Sequence, residues 1–141
     1  MVKIDVFNAK FDSINKMLLI LREHQKLSLQ EFLEQQTIQL AVEHALFVAI
    51  QSLLDLGSHI LADREIRNIA DYRDVLVKLG REMILPPHFA ESIVNMASFR
   101  NRLIHEYEDV NPKLVYEFLQ TRLGDFEEFM RHIRDYFRLT E

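Results

Sequence analysis

The segment from Phe99 to Tyr107 concentrates the polar chemistry of this chain. It carries the guanidinium of Arg100, the amide of Asn101, the imidazole of His105 and the phenol of Tyr107. A histidine, which ordinarily titrates near neutrality, can take a proton from a ribose 2'-hydroxyl or give one to a leaving oxygen. An arginine can hold a phosphate through two hydrogen bonds and stabilise its developing charge. These residue types are therefore suited to RNA cleavage without a metal.

The spacing of these side chains predicts that one helix does not bring all of them together. On an ideal helix Asn101 and His105 are four positions apart and share a face. Arg100 lies five positions from His105, about 140° away around the helix axis. Two copies of the helix that met across a two-fold axis would place Arg100 and His105 of both chains in one cleft. We therefore expect a composite site in a homodimer.

A purely structural role for the same residues is the alternative. Arg100 and Arg102 would then form surface ion pairs with neighbours such as Glu106, and His105 would fill a helix end. An arginine and a histidine at this separation recur by accident in unrelated sequences. The spacing alone does not decide between the two interpretations.

Composition restricts the class of protein. The chain has 141 residues, of which 48% are apolar and 28% charged, so we expect a single domain spanning residues 1–141 with one core. No cysteine is present, which excludes disulfides, thiolate zinc sites and cysteine nucleophiles and fits a cytoplasmic location. The formal net charge of -5 argues against an extended cationic groove for duplex DNA, whereas local arginine clusters remain able to hold RNA.

Two segments bear on membranes and export. The chain starts without a charged leader followed by an apolar run, so we expect no signal peptide. The most apolar stretch, residues 40–56, is interrupted by Glu43, His44, Gln51 and Asp55. Each of these is costly in hydrocarbon, so the stretch predicts a buried helix and no membrane association.

The hydrophobic pattern predicts an all-α protein, an antiparallel bundle of four or five helices. Apolar residues recur at steps of three and four, and no alternating stretch indicates a sheet. The first helix is expected to run to about Gln25 and the second to start at the capping box of Ser28 and Glu31. A long spine helix follows, from Gln35 to about Leu61.

The later helices are predicted from breakers and caps. Gly57 and Ser58 are expected to bend or end the spine helix. Asp71 is typical of the N-cap of a short third helix. Pro87 starts the fourth helix, which carries Arg100 to His105, and Asn111-Pro112 starts the fifth.

The remaining histidines and arginines give weaker signals. Among His24, His44, His59, His88 and His132 no metal-binding spacing occurs, so we expect no metal and no cofactor. His44, next to Glu43, either fills the core or an interface or faces the cleft. Arg64, Arg67 and Arg73 cluster in sequence. Ordinary ion pairs with Asp63, Glu65 and Asp71 are favoured over binding of RNA phosphate by these arginines.

The polar segment also resembles a known motif. The pattern Arg100-Asn101-x-Leu103-x-His105-x-Tyr107 is similar to the R-x4-H-x-Y motif of the HepT-like branch of the HEPN superfamily, the higher eukaryotes and prokaryotes nucleotide-binding domains. Residues 71–76, 84–86, 96–101, 115–117 and 125–129 also look like that branch. The resemblance covers most of the chain.

The resemblance implies a HEPN-type antiparallel helical bundle, commonly dimeric, and a metal-independent ribonuclease toxin acting on tRNA or mRNA. It implies that Arg100 and His105 are catalytic and that Asn101 orients the arginine or the phosphate. It further implies a nucleotidyltransferase antitoxin that attaches AMP to Tyr107. An anionic adduct there would repel RNA and fill the phosphate site.

A second function from a different class stays open at this point. The chain would be a catalytically silent helical dimer that binds a nucleotidyltransferase partner or a nucleotide. An intact set of Arg100, Asn101, His105 and Tyr107 favours catalysis.

Overall fold

The computed structural model describes residues 4–105 and 110–140, and the regular structure in these two ranges is entirely α-helical. The helices are α1 (Ile4–His24), α2 (Leu29–Glu34), α3 (Gln36–Asp63), α4 (Tyr72–Arg81), α5 (Pro87–Ile93), α6 (Asn95–His105), α7 (Pro112–Thr121) and α8 (Leu123–Thr140). The predicted all-α helical bundle is confirmed.

The helix starts follow the capping residues in the sequence. Ser28 accepts a hydrogen bond from the backbone N–H of Glu31, and the Glu31 carboxylate accepts one from the backbone N–H of Ser28. The side chain of Asp71 caps α4, and that of Asn111 caps α7. Each of these side chains accepts a hydrogen bond from a first-turn N–H that has no partner within the helix.

Helix α3 forms the spine of the bundle. Its 28 residues extend about 42 Å, and it packs against α1, α2, α4, α6, α7 and α8. By length and composition alone α3 could cross a membrane, since an 18-residue stretch of it has a mean hydropathy of 1.6. However, 61% of this stretch is buried inside the bundle. This burial is what the core helix of a soluble protein requires.

Gly57 does not end the spine helix, which was one of the two predicted alternatives. Helix α3 continues to Asp63. A Cβ atom at Gly57 would lie 2.9 Å from Leu79 Cδ1 and 3.0 Å from Val75 Cγ1, both on α4. The missing side chain therefore lets α3 and α4 approach closely.

Two predicted helices are interrupted by short breaks, whereas the boundary at Gln35 between α2 and α3 lies where the spine helix was predicted to start. The break at Val94 separates α5 from α6, and the break at Arg122 separates α7 from α8. The apolar spacing continues across each break, which is why a single periodic pattern had predicted four or five longer helices. The extra helices are segments of those predicted ones.

One apolar cluster runs through the bundle, and all eight helices contribute to it. Its largest fully buried side chains include Phe32, Phe126 and Phe129. Helix α6 is tied to this cluster by Met96, which is buried, and by Phe99, whose ring stacks on Phe118 with centroids 4.5 Å apart. These contacts fix the rotation of α6 and so the directions of its polar side chains.

Candidate active site

Helix α6 carries the three described residues of the predicted site. Met96 and Phe99 face the core, and this orientation turns Arg100 towards α3 and α4. Arg100 is half-buried, whereas Asn101 and His105 are exposed. His105 is the last residue of the helix. Tyr107 lies outside the described residues, so its predicted position near Arg100 remains a prediction.

The guanidinium of Arg100 is held by two hydrogen bonds. Its Nε donates to Oε1 of Gln51 at 2.7 Å, and Nη1 donates to Oδ1 of Asn101 at 2.8 Å. A guanidinium has five N–H donors, so three remain without a hydrogen bond to any described residue. The outer edge of Arg100 can therefore bind an anion such as a phosphate.

Gln51 is itself oriented by its neighbours. Its Nε2 donates to Oδ1 of Asp55 at 2.8 Å and to the hydroxyl oxygen of Tyr72 at 3.0 Å. Because an ionised carboxylate only accepts hydrogen bonds, Asp55 requires the NH2 group of Gln51 on its side and leaves Oε1 for Arg100. Lys10 donates to the other oxygen of Asp55 at 3.3 Å. A chain of polar contacts thus links α1 to the guanidinium.

Aromatic rings support the face of the same guanidinium. The Arg100 Cζ atom lies 4.9 Å from the ring centroid of Tyr72 and 5.9 Å from that of Phe47. Both distances allow an attractive interaction between the cation and the ring faces, stronger where water is displaced. Together with Gln51 and Asn101, the rings leave Arg100 little freedom to rotate.

The surroundings of His105 are different. No hydrogen bond, ion pair or ring contact joins the His105 side chain to another described residue, including Arg100. This agrees with the divergence of the two side chains on an ideal helix. Within the described part of one chain, Arg100 and Asn101 come together, and His105 does not join them.

A groove beside the end of α6 contains a titratable pair. Glu43 and His44 line it together with Phe47 and Ile104, the residue before His105. Burial raises the pKa of the Glu43 carboxyl above its ordinary value. His44 is exposed, so it does not fill the core, which was one of the predicted alternatives.

Gln51, Asp55 and Tyr72 were not predicted as part of the site. Gln51 and Asp55 stood out only as polar interruptions of an apolar run. Two polar residues four positions apart on a buried helix require partners, and this was the available signal. Which partner they have depends on the packing of α4 and α6 on α3. No group of three or more His, Asp or Glu in residues 4–105 and 110–140 is placed to hold a metal ion.

Comparison with known proteins assigns the family. The family model described as ribonuclease HepT-like matches residues 14–133. The chain belongs to the HepT-like ribonuclease family. This family match confirms the predicted resemblance to the HepT-like branch.

Two curated relatives are named as nucleases. The chain is 28% identical over 131 residues to the tRNA nuclease HepT of Aphanizomenon flos-aquae, covering 93% of this chain and 89% of the relative. It is 24% identical over 104 residues to the mRNA nuclease HepT of Shewanella oneidensis, covering 74% of this chain and 78% of the relative.

A solved structure shares the fold. It contains a tri-AMPylated Shewanella oneidensis HEPN toxin in complex with MNT antitoxin; the TM-score is 0.85 at 21% identity, covering 94% of this chain and 99% of the other. At this level of identity the likeness concerns the fold alone.

Proposed function

We propose that this chain is a metal-independent endoribonuclease toxin that cuts tRNA or mRNA and is controlled by a nucleotidyltransferase antitoxin. The observation that carries the proposal is the fixed guanidinium of Arg100, whose free edge matches a phosphate, in a chain of the HepT-like ribonuclease family. The names of the curated relatives as tRNA and mRNA nucleases support the substrate class. We place the protein in the cytoplasm, where both substrates occur.

In the proposed reaction the ribose 2'-oxygen attacks the adjacent phosphorus. His105 accepts the 2'-hydroxyl proton as this bond forms, and the bond from phosphorus to the 5'-oxygen breaks. The protonated imidazole of His105 then donates a proton to the leaving 5'-oxygen. Arg100 binds the phosphate and stabilises the added charge, while Asn101 keeps the guanidinium in position. The products are a 2',3'-cyclic phosphate and a 5'-hydroxyl.

The proposed active unit is a two-fold homodimer. In one chain Arg100 faces α3 and α4, whereas His105 is exposed at the end of α6 and has no described contact with Arg100. A second copy can supply the imidazole that each guanidinium lacks.

The proposed control acts on Tyr107. The phenol oxygen attacks the α-phosphorus of a nucleoside triphosphate held by the antitoxin, AMP is transferred, and pyrophosphate leaves. The solved complex of an AMPylated toxin with its antitoxin supports a modification of this kind. The tethered phosphate would compete with RNA for Arg100. Mass spectrometry should map the adduct to the Tyr107 peptide, and Tyr107→Phe should escape inhibition.

The direct test of the nuclease is cleavage of RNA by the purified chain in excess EDTA. We expect 5' fragments that end in a cyclic or 3' phosphate, because the 2'-oxygen is the nucleophile. A 5' phosphate on the 3' fragment, or loss of cleavage on chelation, would contradict the proposed chemistry. His105→Ala protein prepared in the same way controls for contaminating nucleases.

A further inference from the structure

Helix α4 presents two arginines on its outer surface. Arg73, Val77 and Arg81 follow one another at steps of four and so lie along one side of the helix. Arg73 and Arg81 are exposed, and their Cα atoms are about 12 Å apart along the axis. We call this pair the α4 arginine pair.

The sequence favoured ordinary ion pairs for the arginine cluster that includes Arg73, but Arg73 forms none with Asp71. The Asp71 carboxylate accepts a hydrogen bond from the backbone of Asp74. The Asp74 carboxylate in turn is bound by Lys78 at 2.7 Å and by the backbone N–H of Ala70. Among the described residues neither the Arg73 nor the Arg81 side chain makes a hydrogen bond or an ion pair within contact distance, although the charge of Arg81 also acts on the Asp74 carboxylate. Asp71 and Asp74 are therefore held mainly by other groups, and the two guanidiniums can bind an external anion.

Two adjoining grooves connect the α4 arginine pair to the candidate active site. The first lies between α4 and α6, measures about 490 Å³, and is lined by Tyr72, Arg73 and Asn101. Tyr72 and Asn101 are the residues that hold Arg100. The second groove lies between α4 and α5. Arg73, Val77 and Arg81 line it on the α4 side, and Glu91, an exposed acid, borders it on the α5 side. Arg73 borders both grooves.

We propose that the α4 arginine pair binds backbone phosphates of the substrate RNA beyond the phosphate held by Arg100. The strand would pass from Arg100 across Asn101, then along Arg73 to Arg81. The ligand is the phosphodiester backbone of single-stranded RNA, because positive charges spaced along a surface groove contact phosphates rather than base edges. This proposal rests on the proposed ribonuclease function and extends its site.

The connection to Arg100 is what favours RNA over another occupant. An acidic surface of the antitoxin would also be attracted to the α4 arginine pair. The first groove, however, is lined by Asn101 and Tyr72, and both of these residues contact the Arg100 guanidinium that would bind the scissile phosphate. A strand bound at Arg100 must leave in some direction, and this groove starts at its partners.

The test measures RNA binding without cleavage. In the His105→Ala background, the double variant Arg73→Gln/Arg81→Gln is compared with the control double variant Arg131→Gln/Arg138→Gln. The control removes the same charge from two exposed arginines on α8, which packs mainly on α1, α3 and α7. The probe is a fluorescein-labelled single-stranded oligoribonucleotide, followed by anisotropy across a series of NaCl concentrations.

The affinity of the α4 double variant for the RNA probe at low salt should be lower by a factor of about ten or more. Its plot of log affinity against log salt should be shallower by about 1.4, since each lost phosphate contact on a single strand removes about 0.7. The control should change both quantities much less. Circular dichroism melts should show that both variants are folded.

The outcomes separate this inference from the nuclease proposal. If the His105→Ala parent does not bind RNA at all, the proposed function fails. If it binds RNA and the α4 double variant matches the control, the nuclease proposal stands and the role of the arginine pair is overturned. Retained RNA binding with loss of antitoxin binding would also overturn it and assign the surface to the protein partner.

Discussion

Arg100 and His105 belong to one helix, yet the surrounding helices hold only Arg100 in place. Arg100 is held by Gln51 from α3, by Tyr72 from α4 and by its neighbour Asn101. His105, one and a half turns later, is exposed at the helix end. A single chain therefore holds the proposed phosphate-binding group in place, and the proposed proton-transfer group is left to be positioned by the proposed dimer.

Removing either side chain should produce the largest effect on cleavage. His105→Ala is expected to lower the rate about 10²- to 10⁴-fold, because proton transfer is lost. Arg100→Ala should lower it about 10²- to 10³-fold through lost charge stabilisation. The readout is single-turnover cleavage of a labelled RNA.

The two variants should differ in stability, which sharpens the comparison. Arg100→Ala leaves Oε1 of Gln51 without its donor and should reduce the free energy of unfolding by about 1–3 kcal/mol. His105→Ala removes an exposed side chain and should change it by no more than about 0.5 kcal/mol. Urea titrations measure both values. Equal losses in the two variants would show that the surroundings of His105 are as ordered as those of Arg100.

Mixing the two inactive proteins tests whether assembly completes the site. In a mixed dimer the His105→Ala chain supplies Arg100 and the Arg100→Ala chain supplies His105, so one of two clefts is intact. After random exchange of subunits, activity should recover to about a quarter of that of the parent. No recovery, although native mass spectrometry detects mixed dimers, would mean that both residues act within one chain.

Gln51→Leu tests the fixation of Arg100 without touching it. Loss of the acceptor for Nε should let the guanidinium rotate, and misplacement of this kind lowers kcat/KM by about ten- to a hundredfold.

Gln39→Leu is the matched control, since Gln39 lies on the same helix and donates to backbone oxygens at the end of α2. It should cost stability and spare cleavage. If both leucine variants lose the same fraction of kcat/KM, Gln51 has no specific effect on Arg100.

The smallest expected effect concerns Glu43, next to the end of α6. Burial raises its pKa, so the folded chain binds this proton more tightly than the unfolded chain does. Folding is therefore favoured as the pH falls through that pKa, and at neutral pH the carboxylate opposes folding. Glu43→Gln should raise Tm at pH 7, and the gain should disappear in acid.

Glu117→Gln supplies the comparison for this pH dependence, because it makes the same change at an exposed position on α7. It should show no gain that disappears in acid. A Glu43→Gln gain that persists unchanged at low pH would show that packing, not charge, limits stability at this position.

Local signals predicted the helix class and most helix starts. Ser28, Asp71, Pro87 and Asn111 act through their own side chains or rings on the adjacent turn, so the sequence around them was sufficient. The break at Val94 has no comparable signal, because its backbone conformation is still helical and the apolar spacing continues. Periodicity does not detect such a break.

The site was predictable only in part for a similar reason. Arg100, Asn101 and His105 were identified from residue type, spacing and resemblance within one segment. Gln51 belongs to the site only because it accepts a hydrogen bond from Arg100, which is 49 positions later in the chain. Such a pair depends on the rotation of α6 against α3, and that rotation is set by packing such as the stacking of Phe99 on Phe118.

The close packing at Gly57 bears on which mutations would disarm the protein. Any side chain there meets the side chains of Leu79 and Val75, so either these side chains repack or α4 shifts together with Tyr72 and the α4 arginine pair. A genetic selection for cells that survive the proposed toxin without its antitoxin should recover substitutions at Gly57 that shift α4, beside those at Arg100 and His105. A buried residue of the spine helix that has no functional group would then be one of the positions at which mutation inactivates the proposed toxin.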